Sequence, residues 1–268
     1  MRFSKAILLL MIIASLQYVK VSNAQAIIST DNAGQLEQLE HIEFEGVLVF
    51  VQDIEFVEGT PAFITAVTSL GAGGETNKLV FTELYRMREF LEIQLEFAPY
   101  VISLHPNNRI LAVGYQFENV GLVDIKSQEV FKTLEIGQTS YVGFSPDGEQ
   151  LIVAGGCFDC DDLSAENIIA SYSSDNLELQ YAIPATDEEF VIMDYSDDGR
   201  FIAYATNDED VHILDASTGE ELQILEGVRG KTAIIKFHTA SETLSVLATN
   251  QIRMWDIAPL YRNEAITE

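Results

Sequence analysis

The sequence predicts an all-β protein of the β-propeller class, and a repeated motif carries that prediction. A polar turn followed by a continuous apolar run occurs four times, in HPNNRILAVG, SPDGEQLIVA, SDDGRFIAYA and HTASETLSVLA. The turns begin at His105, Ser145, Ser196 and His238, so the steps between them are 40, 51 and 42 residues. A unit of four short strands that recurs at this spacing is typical of propeller blades.

The polarity of the strands supports the same class. The runs at 110–113 and 201–205 are apolar throughout, as expected for strands that are buried on both faces. The segment at 90–97 alternates between apolar and polar residues instead, as expected for an outer strand. This gradient fits sheets stacked face to face around an axis and does not fit a single sandwich.

Five sets of strands follow from these patterns, with strands a to d running from the axis outward. The first three sets are 47–56, 62–68, 78–84 and 90–97; 100–104, 109–114, 120–125 and 129–136; and 140–144, 150–155, 167–173 and 177–183. The last two sets are 189–195, 200–205, 211–215 and 220–226; and 232–238, 243–249 and 251–257. The fifth set therefore has no fourth strand of its own.

An N-terminal segment is expected to supply the missing strand. Residues 36–44 (LEQLEHIEF) resemble the outer strand 90–97 and have no partner strand before them. We therefore expect a propeller of five four-stranded blades that is closed by this N-terminal outer strand. The alternative is that residues 25–45 form a loose tail, since chain termini are often poorly ordered.

The first 24 residues are predicted to be a signal peptide. Arg2 and Lys5 precede an apolar stretch of eleven residues, and small residues at 22–24 mark a cleavage site. The stretch is shorter than the about 20 residues of a membrane-spanning helix, and an uncleaved anchor is the alternative. We expect an extracytoplasmic (secreted or periplasmic) protein with a single domain over 25–268 and no membrane insertion after cleavage.

The chain is strongly acidic. It has 42 Asp and Glu residues against 15 Lys and Arg, with a formal charge of −27 that becomes −30 without residues 1–24. Such a surface repels phosphate backbones and anionic headgroups, so no nucleic acid or membrane-surface partner is expected. Solubility is the simplest reason for the charge, and a cationic partner or a salt-adapted surface is the alternative.

Several residues carry a resemblance to WD-repeat proteins. Met254-Trp255-Asp256, Leu214-Asp215 and Val123-Asp124 lie where those proteins carry Trp-Asp at the end of the third strand. SPDG at 145–148 and SDDG at 196–199 resemble their turn between strands a and b.

Residues 120–155 are also similar to YVTN-type bacterial repeats. The resemblance covers 25–268 and is strongest over 99–258. It implies a propeller that binds a protein or peptide on the face formed by the b–c and d–a connections. The two longest connections, Ser69–Asn77 and Gly156–Glu166, both join b to c strands and so lie on that face. Only one Trp-Asp pair is present, and the Gly-His pair of many such repeats is absent, so their hydrogen-bonded tetrads are not implied.

Cys157 and Cys160 are the only cysteines and lie in one acidic connection, GCFDCDD. A zinc site of four thiolates is therefore impossible within one chain, and the thioredoxin context of strand and helix is absent. Outside the cytoplasm we expect a local disulfide between them. A reduced pair, or a redox or metal role, is the alternative.

No catalytic, cofactor-binding or metal-binding residue is predicted from the other motifs. The acidic segments 186–190 and 207–210 lack the ligand spacing of a calcium loop. GKT at 230–232 lacks the P-loop glycine, and GAGG at 71–74 reads as a flexible connection. Four histidines, His41, His105, His212 and His238, are scattered, with His105 and His238 at equivalent turn positions.

Two functions from different classes follow. The first is an exported, non-enzymatic, WD-repeat-like propeller that acts as a protein-interaction scaffold. The second is a lactonase-like or quinoprotein-like enzyme or cofactor binder with a site in the central channel. Charged residues on the predicted inner strands support the second, and these are Asp53, Glu55, Asp194 and Lys236. A third interpretation is a propeller that has lost its activity.

Overall fold

The computed structural model describes residues 48–84, 88–115, 119–136, 138–156, 168–184, 192–205, 210–228, 230, 232–238, 240 and 242–262. These residues form five antiparallel sheets, four of four strands and one of three. Strands that are consecutive in the chain are neighbours in every sheet. The predicted all-β class is thereby confirmed, and the five sheets are consistent with a β-propeller.

The strands are numbered in chain order. The first sheet contains β1 (Leu48–Val57), β2 (Ala62–Gly71), β3 (Gly74–Glu83) and β4 (Arg88–Leu95). The second contains β5 (Pro99–Leu104), β6 (Ile110–Tyr115), β7 (Val120–Asp124) and β8 (Glu129–Leu134). The third contains β9 (Gln138–Phe144), β10 (Gln150–Gly156), β11 (Ile168–Ser173) and β12 (Leu179–Pro184). The fourth contains β13 (Ile192–Tyr195), β14 (Phe201–Ala205), β15 (Val211–Asp215) and β16 (Glu221–Leu225). The fifth contains β17 (Thr232–His238), β18 (Thr243–Ala248) and β19 (Gln251–Asp256), and a short helix, α1 (Ala258–Tyr261), follows it.

Hydrophobic clusters pack between successive sheets. The cluster between the first and second sheets includes Ile64 and Leu111, and the cluster between the second and third includes Leu122 and Val153. The cluster between the third and fourth sheets includes Ile169 and Leu214, and the cluster between the fourth and fifth includes Ile213 and Val246. All eight side chains are almost fully buried. Because each sheet is covered on its faces by its neighbours, its central strands can be apolar throughout, as the sequence predicted.

The repeated turns between the first and second strands of a sheet share one hydrogen-bonding scheme. In the third sheet the Ser145 hydroxyl donates to Asp147 at 2.6 Å and accepts the backbone N–H of Gln150 at 2.9 Å. In the fourth sheet Ser196 does the same with Asp198 at 2.7 Å and Phe201 at 2.9 Å. The recurring polar turn is therefore explained by the need to satisfy backbone groups within the turn.

The Asp residues that end the third strands are also turn formers. Asp124 accepts the backbone N–H groups of Lys126 and Ser127, both at 2.9 Å. Asp215 accepts those of Ser217 and Thr218 at 2.9 and 3.0 Å. The hydrophobic-Asp pattern thus marks the point where a strand ends and a tight connection begins.

The prediction of a long connection over 69–77 is wrong. β2 and β3 pair as far as Gly71 opposite Gly74, which leaves a two-residue turn and a long hairpin instead of a flexible connection. The hydroxyl groups of Ser69 and Thr76 lie 2.6 Å apart across the hairpin, so polar side chains satisfy one another there.

Three predictions fall outside the described residues. These are the signal peptide at 1–24, the added strand at 36–44 and the Cys157–Cys160 disulfide.

Candidate functional site

The innermost strands of neighbouring sheets run parallel at the centre of the molecule. On β1, Asp53 accepts the backbone N–H of Ile102 at 2.8 Å, and Glu55 accepts that of Leu104 at 3.3 Å. Both pairs advance by two residues along each strand, so β1 and β5 run in the same direction. Side-chain carboxylates therefore take the place of a backbone ladder between these two sheets.

The same kind of bond joins two further pairs of inner strands. Ser103 on β5 accepts the backbone N–H of Phe144 on β9 at 3.0 Å. Asp194 on β13 accepts that of Phe237 on β17 at 2.8 Å. In both pairs the acceptor lies two residues before the turn that follows its own strand, and the donor lies one residue before the turn that follows its strand. One residue per sheet occupies this position: Glu55, Ser103, Gly143, Asp194 and Lys236.

Tyr141 fills the place that a side chain at Gly143 would occupy. A Cβ atom on Gly143 would overlap the hydroxyl oxygen of Tyr141. Electrostatic interactions link this tyrosine to Asp194, Glu55 and Asp53. The third sheet thus contributes a phenol where the first and fourth sheets contribute carboxylates.

The fifth sheet contributes the cation. The Nζ atom of Lys236 lies 2.5 Å from the Oδ1 atom of Asp194. Lys236 also interacts electrostatically with Glu55 on the first sheet. We refer to Asp53, Glu55, Tyr141, Asp194 and Lys236 as the axial cluster.

Two carboxyl groups of the axial cluster titrate near neutral pH. Burial raises the pKa of Asp53 to about 6, against the opposing effect of the N–H groups of Ile102 and Ile54. Burial also raises the pKa of Glu55 to about 7, with the charge of Asp53 adding to it and Leu104 and Lys236 opposing it.

Burial raises the pKa values of Asp194 and Tyr141 as well. The side chain of Asp194 is nevertheless 14% exposed and that of Lys236 54% exposed. The cluster therefore lines a space that water can enter but that protein surrounds on most sides.

This arrangement can bind and release protons and can hydrogen-bond a small polar ligand. Carboxyl groups with pKa values near neutrality are suited to general acid–base chemistry. Among the described residues, no group of three or more His, Cys, Asp and Glu side chains is placed to hold a metal ion.

The four charged residues predicted on the inner strands are therefore brought together at the axis. Sequence reasoning missed Tyr141 and Ser103. A signal for Ser103 was present, since it lies two residues before the turn that begins at His105, as Asp194 does before Ser196. Aligning the inner strands on the turns would have placed Ser103 at the axis together with Asp194.

The described histidines do not join this cluster. His105 packs its ring against Phe144 at 4.8 Å, and His212 stacks on Tyr204 at 4.7 Å. His238 forms a hydrogen bond of 2.8 Å with Ser245. His41 and the acidic segment 186–190 lie outside the described residues, and of 207–210 only Asp210 is described.

A second candidate surface lies at the end of the sheets where strands a and c begin. The beginning of β1, the end of β2 and the beginning of β3 pair there as a three-stranded ribbon. Leu48, Phe50 and Leu70 are 49%, 41% and 38% exposed on it, and Leu48 is directly opposite Leu70. Phe97, in the connection from β4 to β5 at the same end, is 41% exposed. Apolar side chains are therefore displayed on the face formed by the b–c and d–a connections.

The opposite end of the second sheet has a shallow pocket of about 450 Å³. Its lining residues come from the a–b and c–d turns and from β8, and they are Asn107, Arg109, Ile110, Asp124, Ser127 and Phe131. The Arg109 guanidinium is held by Asp124 at 2.9 Å, so the charge of the pocket is internally balanced.

Comparisons with known proteins extend the fold assignment but give no family. No family model matches the chain, and no curated protein matches it either. The chain is similar in structure to the β-propeller domain of Cps50 (Swd1) from Myceliophteria thermophila, with a TM-score of 0.60 and 14% identity. The match covers 77% of this chain and 65% of that domain, which is less than two thirds of its length. At this identity the likeness shows the fold alone, a β-propeller.

No helix among the described residues has the length and apolar character needed to cross a bilayer.

Proposed function

We propose that this chain is an exported, non-enzymatic propeller that binds a protein or peptide on the face formed by the b–c and d–a connections. The observation that carries the proposal is the display of Leu48, Phe50 and Leu70 on the projecting ribbon. Contiguous exposed apolar side chains mark interaction sites, and recognition usually resides on segments held by a rigid scaffold.

The charge of the chain indicates the chemistry of the ligand. A formal charge of −27 favours association with a basic partner and disfavours an acidic one. We therefore propose a ligand that places apolar side chains against the ribbon and positively charged side chains around it.

Substitution of the ribbon tests the proposal. The double variant Phe50→Ser/Leu70→Ser should lose partner capture from the native extracytoplasmic fraction, measured by quantitative mass spectrometry, and should keep the thermal melt of the wild type. Val130→Ser/Phe131→Ser is the matched control, because these residues are 45% and 53% exposed on the outer strand β8. Undiminished capture by the ribbon variant, or equal loss in the control, would show that the ligand binds elsewhere.

Two finer features of the fold belong to the same proposal. We propose a ring of five blades that residues 36–44 close by adding a fourth strand to the last sheet. This is supported by β19, which pairs only with β18 among the described residues. A disulfide between Cys157 and Cys160 stays a prediction for the exported protein.

A ligand-binding or catalytic site in the central channel is the second candidate function. The axial cluster favours it, because Asp53 and Glu55 have pKa values of about 6 and 7 and Glu55 interacts electrostatically with Lys236. Metal analysis of protein purified without chelator is the discriminating measurement. We expect less than 0.1 equivalent of any transition metal or calcium, whereas a stoichiometric metal would favour the enzyme.

A further inference from the structure

The three strands of the ribbon extend past the inner strand beside them. β1, β2 and β3 have 10 residues each, whereas β5, which lies next to β1 at the axis, has 6. The hydrogen bonds that β5 donates to β1 go to the side chains of Asp53 and Glu55. The four residues 48–51 at the beginning of β1 therefore lie beyond the described bonds between these two strands.

The direction of the backbone groups in the ribbon follows from its register. Leu84 donates its N–H to the carbonyl oxygen of Pro61 at 2.7 Å, and the pairing of β2 with β3 continues from there without a shift. Backbone hydrogen bonds alternate between the two sides of a central antiparallel strand. The residues of β2 with odd numbers therefore bond β3, and those with even numbers, such as Thr68 and Leu70, bond β1.

Val49 and Val51 turn their backbone N–H and C=O groups to the side of β1 that faces away from β2. Leu48 and Phe50 lie opposite the even-numbered residues of β2, so they bond β2. The two valines alternate with them and therefore present their backbone groups to the opposite side. We refer to these groups of Val49 and Val51 as the free edge of β1.

Within the part of the chain that the structure describes, no hydrogen-bond partner faces the free edge. Further along β1 the Asp53 carboxylate accepts the N–H of Ile54 on the same side at 2.8 Å, so the strand supplies its own acceptor there. The neighbouring strand β5 begins with Pro99, which has no backbone N–H.

The free edge lacks the features that protect edge strands. Lys, Pro and inward-pointing charges usually block the pairing of an exposed edge with another chain. The residues 48–51 are all apolar, and Val51 is 43% exposed. Glu75, by contrast, places a charge on the other edge of the ribbon, in β3. The ribbon therefore offers its unprotected edge on β1.

We propose that the ligand adds to the free edge of β1 as one extended strand, with hydrogen bonds to the backbone of Val49 and Val51. The proposal rests on the binding function proposed above and specifies how the ligand is held. In strand addition, main-chain pairing supplies affinity and side chains at alternate positions supply specificity. Alternate side chains of the ligand then lie on the face of the ribbon that displays Leu48 and Phe50.

The charges of the ribbon favour a basic strand from another protein. Its described charged residues are Glu75 and Lys78, and Glu96 lies in the adjoining connection from β4 to β5. Lys78 is held by Glu92 at 2.6 Å, so the other two glutamates are left to attract a ligand. A formal charge of −27 repels a second copy of this chain. The occupant is therefore an extended segment of a different protein that alternates apolar and basic side chains.

A short capped peptide of alternating valine and lysine is the probe, and its binding to the full chain is measured by fluorescence anisotropy. Val49→Pro/Val51→Pro removes both donors of the free edge and leaves the bonds to β2, and proline is tolerated at such edge positions. We expect this variant to bind the peptide at least about tenfold more weakly than the wild type, as for the loss of one or two hydrogen bonds. Val49→Ala/Val51→Ala is the matched control, because it keeps both donors, and it should bind like the wild type. A peptide of alternating valine and glutamate should not bind.

N-methylated peptides test the backbone pairing on the wild-type chain, without any substitution in the protein. An extended strand turns its N–H groups alternately to its two edges, so methylation of every second residue blocks one edge and leaves the other. We expect one of the two methylated forms of the valine–lysine peptide to lose binding and the other to keep it. Equal binding by both methylated forms, or by the proline variant and the wild type, would overturn the proposal.

The ribbon variant Phe50→Ser/Leu70→Ser separates this proposal from the binding function on which it rests. If it loses the peptide while the proline variant keeps it, the ribbon binds through side chains, so the binding function stands and strand addition is wrong. If both variants keep the peptide, both proposals fail.

Two further measurements assign the free edge to other occupants. A concentration-dependent dimer in analytical ultracentrifugation that the proline variant abolishes would assign it to a second copy. Peptide binding that appears only in Ile42→Pro would assign it to the segment 36–44 of this chain. Either result would overturn the proposal.

Discussion

Gly148 and Gly199 occupy the same place in the turns of two neighbouring sheets, with φ angles of +76° and +71°. Both angles lie in the left-handed region, where an L side chain costs about 1–2 kcal/mol. The surroundings differ. A Cβ on Gly148 would lie 2.7 Å from the Cε1 atom of His105, whereas one on Gly199 would lie 3.5 Å from Pro146. The ring of His105 therefore packs directly on the turn of the next sheet.

This pair of glycines gives a prediction for single residues. Gly148→Ala should lower the free energy of unfolding by about 2–4 kcal/mol, since it adds a steric overlap to the cost of the backbone conformation. Gly199→Ala should cost only the backbone part, about 1–2 kcal/mol. Chemical denaturation of both variants measures the difference.

Removal of the ring provides the control. In a His105→Ala background the two glycine substitutions should cost the same, because the overlap is gone. If Gly148→Ala remains the more damaging change in that background, the contact with His105 is not its cause.

Among the elements, those bounded by strong turn signals were predictable from the sequence. β15 and β17 begin and end at the predicted residues, 211–215 and 232–238. Asp215 ends β15 because its carboxylate accepts the backbone N–H groups of Ser217 and Thr218. This interaction is local, so it can be predicted from neighbouring residues in the sequence. Strands of this kind need no knowledge of tertiary contacts.

The β2–β3 hairpin was not predictable in the same way. Its sequence from Ser69 to Asn77 is rich in Gly, Ser, Thr and Asn, which favours loops. In the structure the Thr68 hydroxyl donates to Asn77 at 2.9 Å, and Ser69 pairs with Thr76. The cross-strand partners satisfy one another only once the register is set, so composition alone pointed to the wrong structure.

The charged residues of the candidate site were predictable from the sequence, whereas its tyrosine was not. Four charges on inner strands were visible in the sequence, and the repeat predicted that inner strands meet at an axis. Tyr141 was missed because its hydroxyl group occupies the space of a side chain at Gly143, two residues further along the strand. A side chain that substitutes for its neighbour cannot be found from a strand pattern, since it requires the packed geometry.

At the scale of the whole molecule, closure depends on how the last sheet is completed. β19 pairs with β18 only, as far as the described residues show, and Ile252 and Met254 are exposed beside its free edge. The third strands of the other sheets are largely buried, as β7 illustrates. An unpaired apolar edge strand promotes aggregation.

We therefore predict that residues 36–44 are required for stability. Deletion of residues 25–45 should lower Tm sharply or make the protein insoluble, because the edge of β19 would lose its partner strand. A single substitution is the sharper test. Ile42→Pro removes one backbone donor from the added strand and should lower Tm by several degrees. Thr30→Pro, outside the segment, is the matched control and should melt like the wild type. A cooperative melt that is unchanged by both the deletion and Ile42→Pro would refute closure through the N-terminal segment.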